Sequence, residues 1–215
     1  ALFAEKVPVS YIADGHHRSA SAVRVGAERR AANPGHHGNE EYNWFLSVIF
    51  PASELKILPY NRAVKDLNGL SPEDFLKEIR AIFTVTEGAD PSPASPRNIS
   101  MYLGGTWYGL SWPEVKSSNP VDKLDVSTLQ NGVLHPLLGI DDPRTNERIK
   151  FIGGIRGPGE LVKLVDQKGF AVAFSMYPTT VDQLMAIADA GQIMPPKSTW
   201  FEPKLRTGLL SHELD

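Results

Sequence analysis

The residues whose types and spacing best suit chemistry form one short segment, Asp14-Gly15-His16-His17-Arg18-Ser19. The residues before it alternate like a strand and those after it show helical spacing, so the segment predicts a strand-to-helix turn. The first turn of a helix carries unpaired backbone N–H groups and partial positive charge, which together attract anions. A phosphate group is an anion that this arrangement commonly binds.

The side chains of this segment favour the same interpretation. Gly15 lets a ligand approach the backbone, and Arg18 offers a bidentate fork for a phosphate. We therefore predict that Gly15, Arg18 and Ser19 bind phosphate. His16 and His17 can carry protons because imidazoles titrate near neutral pH.

The sequence leaves open a structural interpretation of Asp14. This residue stands where a helix N-cap is expected, and its carboxylate could accept the free N–H groups itself. A carboxylate in that place would compete with a phosphate. Under the functional interpretation, Asp14, His16 and His17 are instead the predicted catalytic residues.

A second polar group is spread over two distant parts of the chain. We predict an anion-binding pocket from six residues: Asn61, Arg62, Lys197, Ser198, Thr199 and Lys204. Cationic side chains between aromatic ones, in an irregular segment, can line such a pocket. The alternative is a surface loop whose long cationic side chains reach into water.

Three further patterns favour structure over chemistry. The histidines His16, His17, His36 and His37 lack zinc-ligand spacing, because adjacent helical residues point about 100° apart, so we expect no metal there. Asp141-Asp142 could bind magnesium, but a turn containing proline explains the pair as well. The glycine-rich segment 153–159 matches no phosphate-binding motif and predicts a tight turn.

The composition is that of an ordinary globular protein. The 215 residues are 41% hydrophobic and 22% charged, with a net charge of −3 and no cysteine. These values exclude a disulfide scaffold and a strongly basic surface for nucleic acid, and no apolar run has the length of a membrane span. We expect a cytoplasmic protein whose partner is a small molecule or nucleotide.

The elements that must position these residues are short and mixed. Hydrophobic spacing and turn residues predict helices at 15–31, 72–82, 125–138, 161–167 and 180–190, and strands at 8–13, 42–50, 55–58, 83–86, 98–103, 106–112, 149–152 and 170–176. Without regular βαβ alternation, this order predicts an α+β fold, a mixed sheet with helices packed on it. We place a boundary at the loop 90–97, between regions 1–89 and 98–215.

Six ordered motifs carry a resemblance to a known family. They are YIADGHHR (11–18), ILPYNR (57–62), LQN (129–131), DPR (142–144), FIGG (151–154) and MPPKSTWFEPK (194–204). Together they resemble DUF1015, a large prokaryotic family of unknown function often described as ParB-like. The resemblance implies that this chain is the C-terminal half of a longer protein, whose missing half completes region 1–89.

The DGHHR motif in turn resembles a helix start of the wider ParB/sulfiredoxin group, which includes a free-serine kinase. The resemblance implies a ParB/sulfiredoxin-like element at the N-terminus, in which Gly15, His16, His17 and Arg18 contact nucleotide phosphates. Asp14 would then be a metal or proton-handling partner, and any further catalytic base would precede Ala1.

Two functions follow as hypotheses. The first is a phosphotransferase or nucleotide hydrolase that uses ATP or ADP with magnesium and acts on a small molecule. The second is a non-catalytic, ParB-like regulatory protein that senses a nucleotide. The aromatic residues Trp107, Tyr108 and Trp112 could form a homo-oligomer face, although a hairpin more commonly packs such residues on its own core.

Overall fold

The computed structural model describes residues 2–206 and 208–214 and divides the chain into two compact units. The first unit comprises Ala1–Lys56 and Phe201–Asp215, and the second comprises Ile57–Trp200. The loop predicted at 90–97 is irregular and lies inside the second unit. The domain boundary that we placed there stays a prediction.

The helices and strands are few and short. The helices are α1 (Leu2–Lys6), α2 (His16–Ala32), α3 (Pro72–Ile82), α4 (Asp125–Leu129), α5 (Gly159–Lys168) and α6 (Val181–Asp189). The strands are β1 (Lys56–Leu58), β2 (Tyr60–Val64), β3 (Thr84–Glu87), β4 (Asn98–Leu103), β5 (Thr106–Ser111), β6 (Ile149–Gly153), β7 (Val172–Met176) and β8 (Trp200–Glu202). No helix among the described residues has the length and apolar character needed to span a bilayer.

The second unit is built on a six-stranded sheet of order β3-β5-β4-β7-β2-β6, and β1 pairs with β8 in a separate small sheet. Every pairing in the large sheet is antiparallel, so it is more regular than the mixed sheet predicted. Parallel neighbours need long crossovers, whereas β4 and β5 join through a two-residue turn. The α+β class, with helices packed on the sheet, is confirmed.

The turn between β4 and β5 is specified by its glycines. Gly104 and Gly105 both have positive φ, 56° and 84°, as a primed hairpin turn requires. The aromatic residues of this hairpin pack on their own unit. The Trp107 ring lies 5.0 Å from that of Tyr102, and the Trp112 ring lies 5.6 Å from that of Phe83.

Side chains of the sheet alternate between two apolar layers. On one face, Met101 and Phe174 pack in the larger core with Phe75 of α3. On the other face, Tyr102 packs with Leu161 of α5. Because successive residues of a strand point to opposite faces, this period of two places helices on both sides of the sheet.

Helix α3 begins as its sequence predicts. Pro72 occupies the first turn, and the Ser71 hydroxyl oxygen accepts the Asp74 N–H at 3.1 Å.

The helix predicted at 125–138 is wrong in its second half. α4 ends at Leu129 and the chain continues as a π-helical turn, Gln130–Leu134, in which the His135 N–H donates to the Gln130 carbonyl at 2.9 Å. The spacing of apolar residues alone does not distinguish a π-helical turn from an α-helical one.

The strands predicted at 8–13 and 42–50 are wrong. In the described part of the first unit neither segment belongs to a sheet, and the second begins inside a short 3-10 helix, Glu41–Asn43. Trp44, Phe45 and Ile49 are 59%, 52% and 56% exposed, although we expected a buried strand. A strand needs a neighbour for its backbone hydrogen bonds, which hydrophobic spacing cannot supply.

Candidate functional site

The start of α2 lies where the sequence predicts it, and it has no side-chain cap. Gly15 is the N-cap residue, in the left-handed conformation with φ 85°, and its carbonyl accepts the Ser19 N–H at 2.9 Å. The N–H groups of His16, His17 and Arg18 find no acceptor among the described residues. The first turn therefore presents three unpaired donors at the positive end of the helix.

Asp14 does not cap this helix. One of its carboxylate oxygens accepts the Gly15 N–H at 3.0 Å, and the other lies 3.3 Å from the Lys204 Nζ. The carboxylate is thus placed one residue before the first turn and its charge is balanced by a lysine. The competing interpretation, in which the Asp14 carboxylate accepts hydrogen bonds from the first-turn N–H groups, does not agree with this geometry.

Arg18 folds back over the helix start. A methyl group placed on Gly15 would lie 3.0 Å from its Nη2 and 3.2 Å from its Nε. The residue is exposed and forms no ion pair with a described carboxylate. The guanidinium and the open amides consequently lie side by side, and a side chain on Gly15 would push the guanidinium from this position.

The other three residues of the segment, His16, His17 and Ser19, differ in whether their side chains form hydrogen bonds. The Ser19 hydroxyl donates to the Gly15 carbonyl at 3.2 Å, so its single hydrogen is already used. His16 and His17 are exposed, and their rings make no hydrogen bond to a described residue. They remain accessible to a ligand held at the helix start.

The predicted pocket residues are divided between the two units. Lys204 belongs to the first unit, where it pairs with Asp14, whereas the other five lie in the second unit. The Asn61 Oδ1 accepts the Met176 N–H at 2.9 Å, and Ser198 donates to the Pro195 carbonyl at 2.7 Å. Both side chains are buried and serve packing. Thr199, which follows Ser198 in the sequence, is partly buried.

Arg62 differs from its neighbours because it is a buried cation. It lies on β2, only 4% exposed, and donates to the carbonyls of Tyr60 and, at 3.1 Å, Lys197. The Lys197 ammonium lies over the Tyr60 ring, 5.6 Å from its centre. The sequence analysis ended a strand at Leu58 and missed β2, because proline commonly interrupts a strand and Pro59 stands between the two.

The remaining polar patterns have structural partners. Arg144 binds the Asp142 carboxylate through Nε and Nη2 at 3.0 and 2.8 Å, which lowers the pKa of Asp142 and raises that of Arg144. Asp141 lies 3.2 Å from His135. Within residues 2–206 and 208–214, no group of three or more metal-ligating side chains occurs.

Gly153, the last residue of β6, and Gly154 make room for neighbours. A methyl group on Gly153 would overlap the Trp200 indole, and one on Gly154 would lie 2.7 Å from the Pro59 carbonyl oxygen. Both glycines are therefore explained by close packing.

The first part of the chain, residues 1–127, matches a known family. The family model described as "Protein of unknown function (DUF1015)" matches residues 1–127. The chain belongs to the DUF1015 family. The family resemblance inferred from the motifs is thereby confirmed. No curated protein matches this DUF1015 sequence.

Several solved structures are similar to this DUF1015 chain over 88% of its length. A mutant of free serine kinase in complex with AMP has a TM-score of 0.48 and 15% identity, and one in complex with ADP has 0.46 and 18%. The chain spans 66% of the length of these kinase structures. A conserved hypothetical protein from Pyrococcus furiosus has a TM-score of 0.41, 13% identity and 68% coverage. At these TM-scores the similarity carries no argument about function.

Proposed function

We propose that the start of α2 binds the phosphate groups of a nucleotide, ATP or ADP, and that the protein is a phosphotransferase or nucleotide hydrolase acting on a small molecule. One observation carries the proposal. α2 begins without a side-chain cap at Gly15, and the Arg18 guanidinium lies beside the open first-turn amides. Together these groups offer a negative ligand both directional hydrogen bonds and a full positive charge.

The surrounding charges favour a phosphate. Asp14 is the carboxylate nearest in sequence to the open amides, and its pairing with Lys204 reduces its repulsion of an anion. Magnesium would enter with the nucleotide and be held mainly by phosphate oxygens, because Asp14 alone cannot supply an all-protein site. The exposed imidazoles of His16 and His17 belong to the same first turn as the open amides and are accessible to a ligand bound there.

The engagement of Asp14 supports a second candidate function. Both carboxylate oxygens of Asp14 are already engaged, one by the Gly15 N–H and the other by Lys204, so neither is free to take a proton from a substrate. A nucleotide could therefore be bound without being turned over. This second proposal is a ParB-like regulatory protein that senses a nucleotide.

Binding of Mg·ATP and Mg·ADP to the full chain, followed by thermal unfolding, tests the site. A nucleotide at a hundredfold excess over its Kd should stabilise the protein by about 2.7 kcal/mol. Arg18→Ala should remove this stabilisation. Arg24→Ala is the matched control because Arg24 is an exposed arginine of the same helix, 3.8 Å from Glu28. Full stabilisation of the Arg18 variant would overturn the site.

Turnover separates the two functions. A phosphotransferase should consume nucleotide faster when a suitable hydroxyl-bearing small molecule is added, and a hydrolase should release phosphate without one. A sensor should bind the nucleotide, lose binding on Arg18→Ala, and show neither reaction.

A further inference from the structure

The second unit contains a cavity of about 440 Å³, a volume typical of small-molecule sites. All of its lining residues lie within Ile57–Trp200, so none belongs to the segment that begins α2. Its walls combine apolar side chains with polar and charged ones in about equal number. Phe151 supplies an aromatic wall, and Arg62, Gln130 and Asn131 supply polar groups.

The most unusual wall of the cavity is the Arg62 guanidinium. A buried charge normally has an opposite charge beside it, because removal from water is costly. No described carboxylate lies within ion-pair distance of Arg62. Burial lowers the pKa of its guanidinium to about 9. Arg62 is thus protonated at neutral pH and has no counter-charge within ion-pair distance among the described residues.

Its hydrogen bonding is also incomplete. The carbonyls of Tyr60 and Lys197 accept from its two terminal nitrogens, and the Cζ lies 5.4 Å from the Phe151 ring centre. A guanidinium has five N–H donors, so these two bonds leave others available. The carbonyls fix the orientation of the guanidinium without neutralising it.

The acidic residues around the cavity are engaged elsewhere. Asp142 binds Arg144, Asp141 lies beside His135, and Asp122 accepts the Ser117 hydroxyl at 2.7 Å. None of them is an ion-pair partner of Arg62. The nearby Gln130 amide is held by its own bond, donating to the Ile140 carbonyl at 2.7 Å from the first residue of the π-helical turn.

We propose that this cavity binds a small organic anion, whose carboxylate or phosphate group bonds Arg62 while its apolar part packs against Phe151. The anion supplies the missing counter-charge and accepts the remaining guanidinium N–H groups. This site is independent of the proposed nucleotide site, since each is built from residues of a different unit.

Inorganic phosphate and succinate are the probes, compared with chloride at matched ionic strength. The readout is a saturable rise in the unfolding temperature of the full chain, measured in an Arg18→Ala background so that α2 does not contribute. We expect one or both anions to stabilise this protein. Phosphate alone identifies a phosphate ester, and succinate alone identifies a carboxylate.

Three variants make the test specific. Asn131→Trp fills the cavity from an exposed position that makes no hydrogen bond to a described residue, and Arg62→Gln removes the charge. Arg62→Gln should weaken binding about ten- to hundredfold, because hydrogen bonds to a charged group contribute about 1.5–3 kcal/mol. Asn131→Trp should weaken binding by occupying the space that the anion needs. Arg156→Gln, an exposed arginine 3.8 Å from Glu160, is the control and should bind normally.

Failure is unambiguous even if Arg62→Gln does not fold, since Asn131→Trp leaves the guanidinium in place. The proposal is overturned if neither anion stabilises the protein, if Asn131→Trp binds normally, or if Arg156→Gln weakens binding equally. A negative result here leaves nucleotide binding at Arg18 standing, and loss of nucleotide binding leaves this cavity standing.

Discussion

Replacing Gly15 by alanine should weaken both the start of α2 and the binding of a phosphate there. Gly15 has a φ of 85°, and a left-handed conformation costs a residue with a side chain about 1–2 kcal/mol. The added methyl group would also lie 3.0–3.4 Å from three guanidinium atoms of Arg18. That side chain is flexible and exposed, so we expect it to move at little cost in stability.

The expected loss is therefore about 1 kcal/mol, or about 2–4 °C in unfolding temperature for a chain of this size. Circular dichroism during thermal unfolding measures it. Gly15→Asn should recover most of the stability, because asparagine tolerates this conformation, but should still displace Arg18 and lose nucleotide binding. Gly159→Ala is the matched control, with open space and no positive φ, and should be neutral or slightly stabilising.

Two results would refute this reasoning. An unchanged unfolding temperature for Gly15→Ala would mean that the left-handed conformation at the helix start is not required. Normal nucleotide binding by a destabilised Gly15→Ala protein would mean that Arg18 does not act from its position over the glycine.

Three further predictions concern the remaining structure. Burial raises the pKa of Asp125 to about 6, so the free energy of unfolding should fall by up to about 3 kcal/mol as pH rises from about 4 to 6, and Asp125→Asn should abolish this slope in urea titrations. Gly153→Ala should cost about 1–3 kcal/mol through overlap with the Trp200 indole, and adding Trp200→Leu should restore part of the loss; an unaffected single variant would contradict the packing. Phe45→Glu with Ile49→Glu should change the unfolding free energy by less than about 0.5 kcal/mol and reduce light scattering from association, whereas a large destabilisation would show that the segment is buried.

Local signals predicted those elements whose causes are local. Ser71 and Pro72 marked the start of α3, and Gly104-Gly105 marked the β4–β5 hairpin, because capping and turn geometry depend on adjacent residues. The glycine of DGHHR likewise marked the start of α2. The segment 42–50 misled the prediction, because apolar alternation reports which residues would suit a strand and not whether a partner strand exists.

The sequence by itself determined the DGHHR helix start, the α+β class and most element positions, since these follow from short-range chemistry and periodicity. Only the tertiary structure decided that Asp14 pairs with Lys204 and leaves the first-turn amides open. It alone also decided that Arg62 is a buried cation with no described carboxylate within ion-pair distance, beside Phe151 and Lys197, which are distant in sequence. The physical reason is that burial and charge pairing depend on which distant segments meet, and no spacing within one segment records that.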